Sequence, residues 1–319
     1  LASQLCGRNG LIVAGFNPPS AKISKAIGIL SSLPNVAVMA EGLANLHCKG
    51  PILPTPDTLT SALQHHTAPS GIAAELRPDV LLTFGGSLVS ASLKRFLRAA
   101  SPSQHWHIGR NEATIDCFMS LTKRVEISPE GFLPKLATSL LHLTRTGENS
   151  GDYASLWSNF AKHACKPTAV GHDCWNARSA VGMILEAATP SWNLQLSNGM
   201  SVRYALDFPL GKFHRADCNR GVSGIDGSVS TAVGAAAVYD KPTLLITGDM
   251  SMQYDIAALS SNLVTDRLKI VVLNNGGGGI FKYVDTTAQL PETPQLIHCS
   301  LNLPIETLAK AYGFRHIKA

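Results

Sequence analysis

Apolar residues are spaced in two alternating ways along this chain. Short unbroken runs over Leu11–Gly15, Val36–Ala40, Asp79–Phe84, Thr243–Thr247 and Lys269–Leu273 predict strands buried on both faces. Stretches with helical spacing lie between them: Pro18–Leu33, Leu88–Ala99 and Leu133–Leu143 in the first half, then Ala177–Ala187, Asp226–Tyr239 and Ser251–Ser260. Shorter strands are predicted near Trp106, near Val125 and over Asn193–Leu196. Strands alternating with helices imply an α/β fold with doubly wound parallel sheets. Glycine, asparagine and serine over Thr144–Gly151 mark a linker, and Tyr153–Ala164 reads as a connecting helix closed by Lys166-Pro167.

Length adds a second domain, because 319 residues exceed the usual size of one. An apolar fraction of 45% against 15% charged fits a well-buried protein and excludes disorder. The net charge of +5 comes from scattered residues without a Lys/Arg run. That argues against nucleic acid and leaves small anions or a plain solvated surface. Seven cysteines, none in a Cys-x-x-Cys pair, point to free thiols in a reducing cytoplasm. No apolar run reaches the roughly 20 residues a membrane helix needs. The chain opens at Leu1 without Met and its last residues, Leu308–Ala319, stop soon after a helical run, so both ends read as cuts in a longer protein.

The candidate chemistry sits at two strand ends. One runs Leu244–Thr247 into Gly248-Asp249-Met250-Ser251; the other runs Ile270–Leu273 into Asn274-Asn275 and four glycines, Gly276–Gly279. Parallel sheets bind ligands beyond the carboxyl ends of their strands. A carboxylate at one end, with amide and backbone oxygens at the other, offers the hard donors magnesium takes alongside phosphate oxygens. Asp249, Asn275 and the Gly277 carbonyl make such a set, with glycine N–H groups free for a diphosphate. Either feature alone reads as a turn; together, in this order, they read as a cofactor site.

Gly248-Asp249 followed by Asn274-Asn275 resembles the signature of the thiamine-diphosphate enzymes related to pyruvate decarboxylase and acetolactate synthase, with Met250 where a third glycine is usual. Asn219-Arg-Gly-Val-Ser-Gly-Ile-Asp-Gly227, Gly248–Asp255 and Asn274–Phe281 are most similar to the branch that makes 2-succinyl-5-enolpyruvyl-6-hydroxy-3-cyclohexene-1-carboxylate for menaquinone. The resemblance implies a middle domain over residues 1–165 and a diphosphate-binding domain over 170–319. It implies thiamine diphosphate with Mg2+ or Mn2+, 2-oxoglutarate and isochorismate as substrates, and a homo-oligomer, dimer or dimer of dimers, in the full-length protein. The family's catalytic glutamate belongs to a pyrimidine-binding domain, so a piece without it is expected not to turn over. Glu41, Glu75, Glu112 and Glu186 read as solvated surface groups.

Matched residue by residue, the resemblance gives Asp249, Asn275 and Gly277 to the metal, and Gly248, Met250 and Ser251 to the cofactor's diphosphate end. Ile225 corresponds to the bulky residue beneath the bent cofactor, or else is plain core. Arg203 and Arg220 correspond to substrate arginines, whose forks suit carboxylates. Lys94-Arg95 corresponds to a basic pair reaching the second substrate, or is helix-surface charge. Ile280, Phe281 and Val284 wall an apolar pocket or belong to the core. The family reads Asn-Ser where this chain has Asn198-Gly199, so Ser197 or Ser201 would have to supply that contact. His65-His66 and His105-x-His107 lack metal spacing and read as structural. Two other readings stay open: another thiamine-dependent lyase, and a non-catalytic nucleotide-binding module. The second lacks its phosphate loop, because Phe16-Asn-Pro-Pro19 follows the first strand.

Overall fold

The computed structural model describes residues 1–64, 71–110, 116–147, 149, 151–164 and 175–319. Two compact units result, Leu1–Ala169 with Leu206–Gly211, and Val170–Ala205 with Lys212–Ala319.

In the first unit, β1 (Gly10–Ala14), β2 (Val36–Ala40), β3 (Ile52–Leu53), β4 (Val80–Phe84), β5 (Gln104–Ile108) and β6 (Lys123–Val125) form one parallel sheet, ordered β3-β2-β1-β4-β5-β6. β1 and β4 lie side by side while the chain leaves them toward opposite edges, which makes their carboxyl ends a topological switch point. Among the described residues the helices that accompany the sheet are α1 (Ala2–Leu5), α2 (Ala21–Leu30), α3 (Pro56–Gln64), α4 (Ile72–Glu75), α5 (Ala91–Ala100), α6 (Pro129–Arg145) and α7 (Tyr153–Ala164). Alternate residues of each strand face opposite sides. On one side Ile12, Leu82 and Trp106 meet Ile23 and Ile27 of α2 and Leu133 and Leu136 of α6. On the other, Leu11 and Leu81 meet Leu93 and Leu97 of α5 and Trp157 of α7. Each such buried side chain contributes about 1.5–3 kcal/mol.

Caps move the helix boundaries away from the periodicity. The double proline stays outside the helix and α2 starts after Ser20, whose hydroxyl accepts the Ile23 N–H at 3.4 Å. Ser90 caps α5 through the Leu93 N–H at 3.0 Å. Pro129 begins α6 earlier than expected, since a first-turn proline loses no hydrogen bond. The expected helix over Tyr153–Ala164 is α7, and it is packed into the core, as are described residues of the expected linker. Thr144 and Arg145 finish α6, and buried Asn149 accepts the Gly7 N–H at 2.9 Å and donates to Asn35 Oδ1 at 2.8 Å. Tyr153, Trp157 and Phe160 of α7 are buried, the Trp157 ring edge-on to Phe96 and Phe160 at 5.8 and 6.1 Å. Lys166-Pro167 lies outside the described residues.

The second unit has β7 (Asn193–Leu196), β8 (Arg215–Cys218), β9 (Thr243–Gly248) and β10 (Leu268–Leu273), parallel and ordered β10-β9-β7-β8. Its helices are α8 (Ala177–Ala187), α9 (Met200–Leu206), α10 (Ser228–Val238), α11 (Asp249–Tyr254), α12 (Asp285–Ala288) and α13 (Ile305–Ala311). Here β7 and β9 flank the switch point. Val229, Ala232 and Val233 of α10 pack with Leu245 and Met252. The single helix expected over Ser251–Ser260 is two pieces: α11 ends at Tyr254 and a 3-10 turn covers Ile256–Ser260. Between them the Asp255 carboxylate accepts the Ser230 N–H and hydroxyl, both at 2.7 Å. Cys6, Cys48, Cys117, Cys218 and Cys299 are free thiols. Among the described residues, no helix is long and apolar enough to cross a membrane.

Candidate functional site

Four strand ends of the second sheet carry the predicted chemistry in one row. Asn219-Arg220 follows β8, Ser197-Asn198 follows β7, Gly248-Asp249 ends β9, and Asn274–Gly279 follows β10. Ser197 ties two of these ends together, its hydroxyl accepting the Gly248 N–H at 3.3 Å.

Asp249 is 1% exposed. Its Oδ1 accepts the Met250 N–H at 2.7 Å, and its Oδ2 accepts the N–H groups of Gly276 at 2.7 Å and Gly277 at 3.0 Å. The carboxylate therefore lies against the loop that carries Asn275 and Gly277. No lysine, arginine or histidine pairs with it among the described residues. Burying a carboxylate on backbone dipoles alone is costly, and a divalent cation would relieve that cost. The oxygens nearby suit magnesium: one carboxylate, the Asn275 amide and the Gly277 carbonyl. Asn275 itself is exposed, its amide over Gly279, and the Gly277 carbonyl accepts the Gly279 N–H at 2.9 Å. Gly277 must be glycine: its φ is +134°, and a Cβ would come within 2.7 Å of the His298 and Cys299 carbonyls.

Ser251, 3% exposed in the first turn of α11, donates its hydroxyl to the Ile225 carbonyl. This brings Ile225 to the Asp249 strand end. It commits the Ser251 hydroxyl to the protein itself and leaves the expectation, which concerned the backbone N–H groups of this turn, untouched.

Buried Asn198 organises the arginine side. Its Nδ2 donates to the carbonyls of Asn219 at 2.8 Å and Gly224 at 2.7 Å; its Oδ1 accepts Arg220 at 2.7 Å and the Cys218 thiol at 3.3 Å. One side chain thus fixes the Asn219–Gly224 turn and aims Arg220. Arg203, exposed on α9, donates to the Gly199 carbonyl at 2.5 Å. Burial pushes the Cys218 thiol up to about 12, against the pull of both arginines, so it stays neutral beside them. Gly199 has φ +85°, which accounts for glycine where a serine was expected. Ser197 and Ser201 are 0% and 2% exposed, so neither presents a hydroxyl at the surface in its place.

Phe281 and Val284 are 38% and 41% exposed, and Ile280 is half-buried, so these three are not core. Lys94 and Arg95 lie on α5 of the first unit and diverge. Arg95 donates to Gln64 Oε1 at 3.2 Å on the surface, while Lys94 lines a cavity at the carboxyl ends of β1 and β4. Glu41 is not a surface group: it is 4% exposed and accepts the Val89 and Ser90 N–H groups at 2.9 and 2.7 Å. Glu75 and Glu186 are exposed; Glu112 and His65-His66 lie outside the described residues. His105 and His107 share the Thr83 hydroxyl at 3.0 Å each. Spacing gave no sign of the Asn198 hub or the Glu41 anchor, because both act across long sequence separations.

Comparison with known proteins covers both units. Residues 199–319 match the family described as "Thiamine pyrophosphate enzyme, C-terminal TPP binding domain". Three relatives named 2-succinyl-5-enolpyruvyl-6-hydroxy-3-cyclohexene-1-carboxylate synthase are similar. That of Porphyromonas gingivalis is 33% identical over 97% of this chain and 53% of its own length. That of Flavobacterium psychrophilum is 34% identical over 97% and 54%. That of Bacteroides thetaiotaomicron is 37% identical over 68% and 37%. The chain spans about half the length of the first two.

Proposed function

The chain belongs to the thiamine pyrophosphate enzymes, in the branch of the 2-succinyl-5-enolpyruvyl-6-hydroxy-3-cyclohexene-1-carboxylate synthases, and we propose on that premise that it grips the magnesium diphosphate of the cofactor. The observation that carries this reading is the buried Asp249 carboxylate without a cation partner, set against a glycine loop. Residues 1–165 would be the middle domain and 170–319 the diphosphate-binding domain. Asp249, Asn275 and the Gly277 carbonyl would hold Mg2+ or Mn2+. Gly248, Met250 and Ser251 would border the diphosphate, and Ile225 the cofactor ring. Thiamine diphosphate, when bound, supplies the electron sink for decarboxylating a 2-oxo acid.

The reaction proposed for the whole enzyme is decarboxylation of 2-oxoglutarate and addition of the resulting four-carbon unit to isochorismate. Arg220, held by Asn198, and Arg203 would orient substrate carboxylates by two-point contacts. Lys94 and Arg95 of α5 would supply the basic pair toward the second substrate. Ile280 and Phe281 would give the apolar wall. We further propose a cytoplasmic enzyme whose sites form between subunits of a homo-oligomer, with turnover depending on a glutamate from a pyrimidine-binding domain.

Calorimetry tests the reading. Thiamine diphosphate should bind this chain only with Mg2+ or Mn2+, and a chelator should abolish the heat. Binding of equal strength without metal would defeat it. A full-length assay following carbon dioxide from 2-oxoglutarate, with and without isochorismate, separates this synthase from other thiamine-dependent lyases.

A further inference from the structure

On the proposed function, the cofactor spans two points of the second unit: Asp249, which opens α11, and Ile225, in the turn before α10. That turn enters its helix without a cap of its own. The residue ahead of α10 is Gly227, at φ +71°, which has no side chain to take the first free N–H groups. The cap comes from a distant residue instead. The Asp255 carboxylate, 25 residues beyond Ser230, accepts the Ser230 N–H on Oδ2 and the Ser230 hydroxyl on Oδ1, both at 2.7 Å. Ser230 is the third residue of α10, where a capping oxygen normally acts, and negative charge suits this end of a helix.

Asp255 also governs α11. That helix ends at Tyr254, and Asp255 follows at φ −132°, ψ 19°, breaking the helical path ahead of the 3-10 turn Ile256–Ser260. Six residues make α11 a short rod of about 9 Å. Near its start, Ser251 donates its hydroxyl to the Ile225 carbonyl; just past its end, Asp255 holds Ser230. A rod tied at one point can pivot, whereas one tied at both has a fixed tilt. The Gly224 carbonyl is held too, by Asn198 Nδ2 at 2.7 Å, but that bond comes from the end of β7 and leaves the tilt of α11 free. Both Asp255 oxygens face Ser230, so the carboxylate works by joining the two helices.

We propose, on the cofactor reading above, that Asp255 is a positioning residue that fixes the spacing between the metal carboxylate Asp249 and the ring support Ile225. Its effect is selective. A ligand that touches both ends depends on Asp255, and a ligand that touches only the metal end does not.

The test is calorimetry on the 319-residue chain with Mg2+, comparing thiamine diphosphate, which spans both ends, with inorganic pyrophosphate, which reaches only the metal end. Asp255→Ala should weaken thiamine diphosphate about tenfold, the scale of a lost cap, and pyrophosphate by less than about twofold. Asp255→Asn should restore most of the loss, because its amide oxygen can accept the Ser230 N–H while its NH2 donates to the Ser230 hydroxyl. Ser230→Ala keeps the N–H bond and should give an intermediate loss. Circular dichroism and urea midpoints report folding, and if Asp255→Ala does not fold, Ser230→Ala carries the same comparison. Equal loss of both ligands, no loss of either, or Asp255→Asn as weak as Asp255→Ala overturns the proposal and leaves the cofactor reading standing. Asp249→Asn should weaken both ligands. If it binds both as wild type does, the cofactor reading itself falls, and Asp255 has no spacing to hold.

Discussion

Each unit buries a carboxylate at the carboxyl end of a strand, and the two carboxylates are used differently. Glu41, after β2, accepts the N–H groups of Val89 and Ser90 and pins the start of ten-residue α5. Asp249, after β9, accepts Met250 and two glycines of a loop that has no side chains from Gly276 to Gly279. Around Glu41 the chain supplies a helix terminus, whose N–H groups and dipole suit an anion. Around Asp249 it supplies glycine backbone and an exposed amide, leaving room for an outside group. The same doubly wound frame thus yields an internal clamp in one unit and an open donor set in the other.

The sharpest way to break this contrast is to neutralise each carboxylate in turn. Asp249→Asn should weaken metal-dependent thiamine diphosphate binding about a hundredfold or more, near 3 kcal/mol, while the chain keeps or gains stability as an uncompensated charge leaves the interior. Glu41→Gln should do the reverse. It should cost about 2 kcal/mol in urea unfolding, the scale of hydrogen bonds to a charged acceptor, and leave cofactor binding unchanged. If both variants lost stability and neither lost affinity, the two carboxylates would be equivalent clamps and the cofactor assignment would lose its support.

How much of this the sequence discloses depends on how local the signal is. β1, β4 and β9 are legible because a strand buried on both faces is a continuous apolar run. β8 was hidden: Arg215 and Asp217 break its apolar pattern, yet they pair with each other at 2.6 Å on an edge strand. Gly248-Asp249 and Asn274-Asn275 stand out because glycine and oxygen donors at strand ends are rare in combination. The roles of Glu41 and Asn198 are invisible, since their partners lie 48 and 21 residues away. The divergence of Lys94 and Arg95 was equally hidden, because adjacent helical residues point about 100° apart and only packing decides which one faces a cavity.

A pH-dependent effect separates the two units. Burial lowers the His105 pKa from 6.5 to about 4, outweighing the Asp116 charge that raises it. The unfolded chain therefore takes up this proton first as pH falls. Stability is full above about 6.5 and drains away toward pH 4, by up to about 3 kcal/mol. Urea midpoints for the first unit should fall across that window, and His105→Gln should flatten the fall. An equal acid response in wild type and variant would mean other groups govern it.

The smallest expected change tests why the arginine side departs from the expected Asn-Ser pattern. Gly199 sits at φ +85°, and a Cβ there would meet nothing within 4 Å. Gly199→Ser therefore brings no clash, only the strain of a side chain in the left-handed region, about 1 kcal/mol. The Gly199 carbonyl also receives Arg203, so relaxing the backbone would release that guanidinium. Gly199→Ser should thus lower the thermal midpoint slightly and, on the proposed function, weaken 2-oxoglutarate binding in the full-length protein. If instead the variant bound this substrate more tightly at unchanged stability, the serine contact expected from the family pattern would outweigh backbone geometry here, and Arg203 would not need its Gly199 anchor.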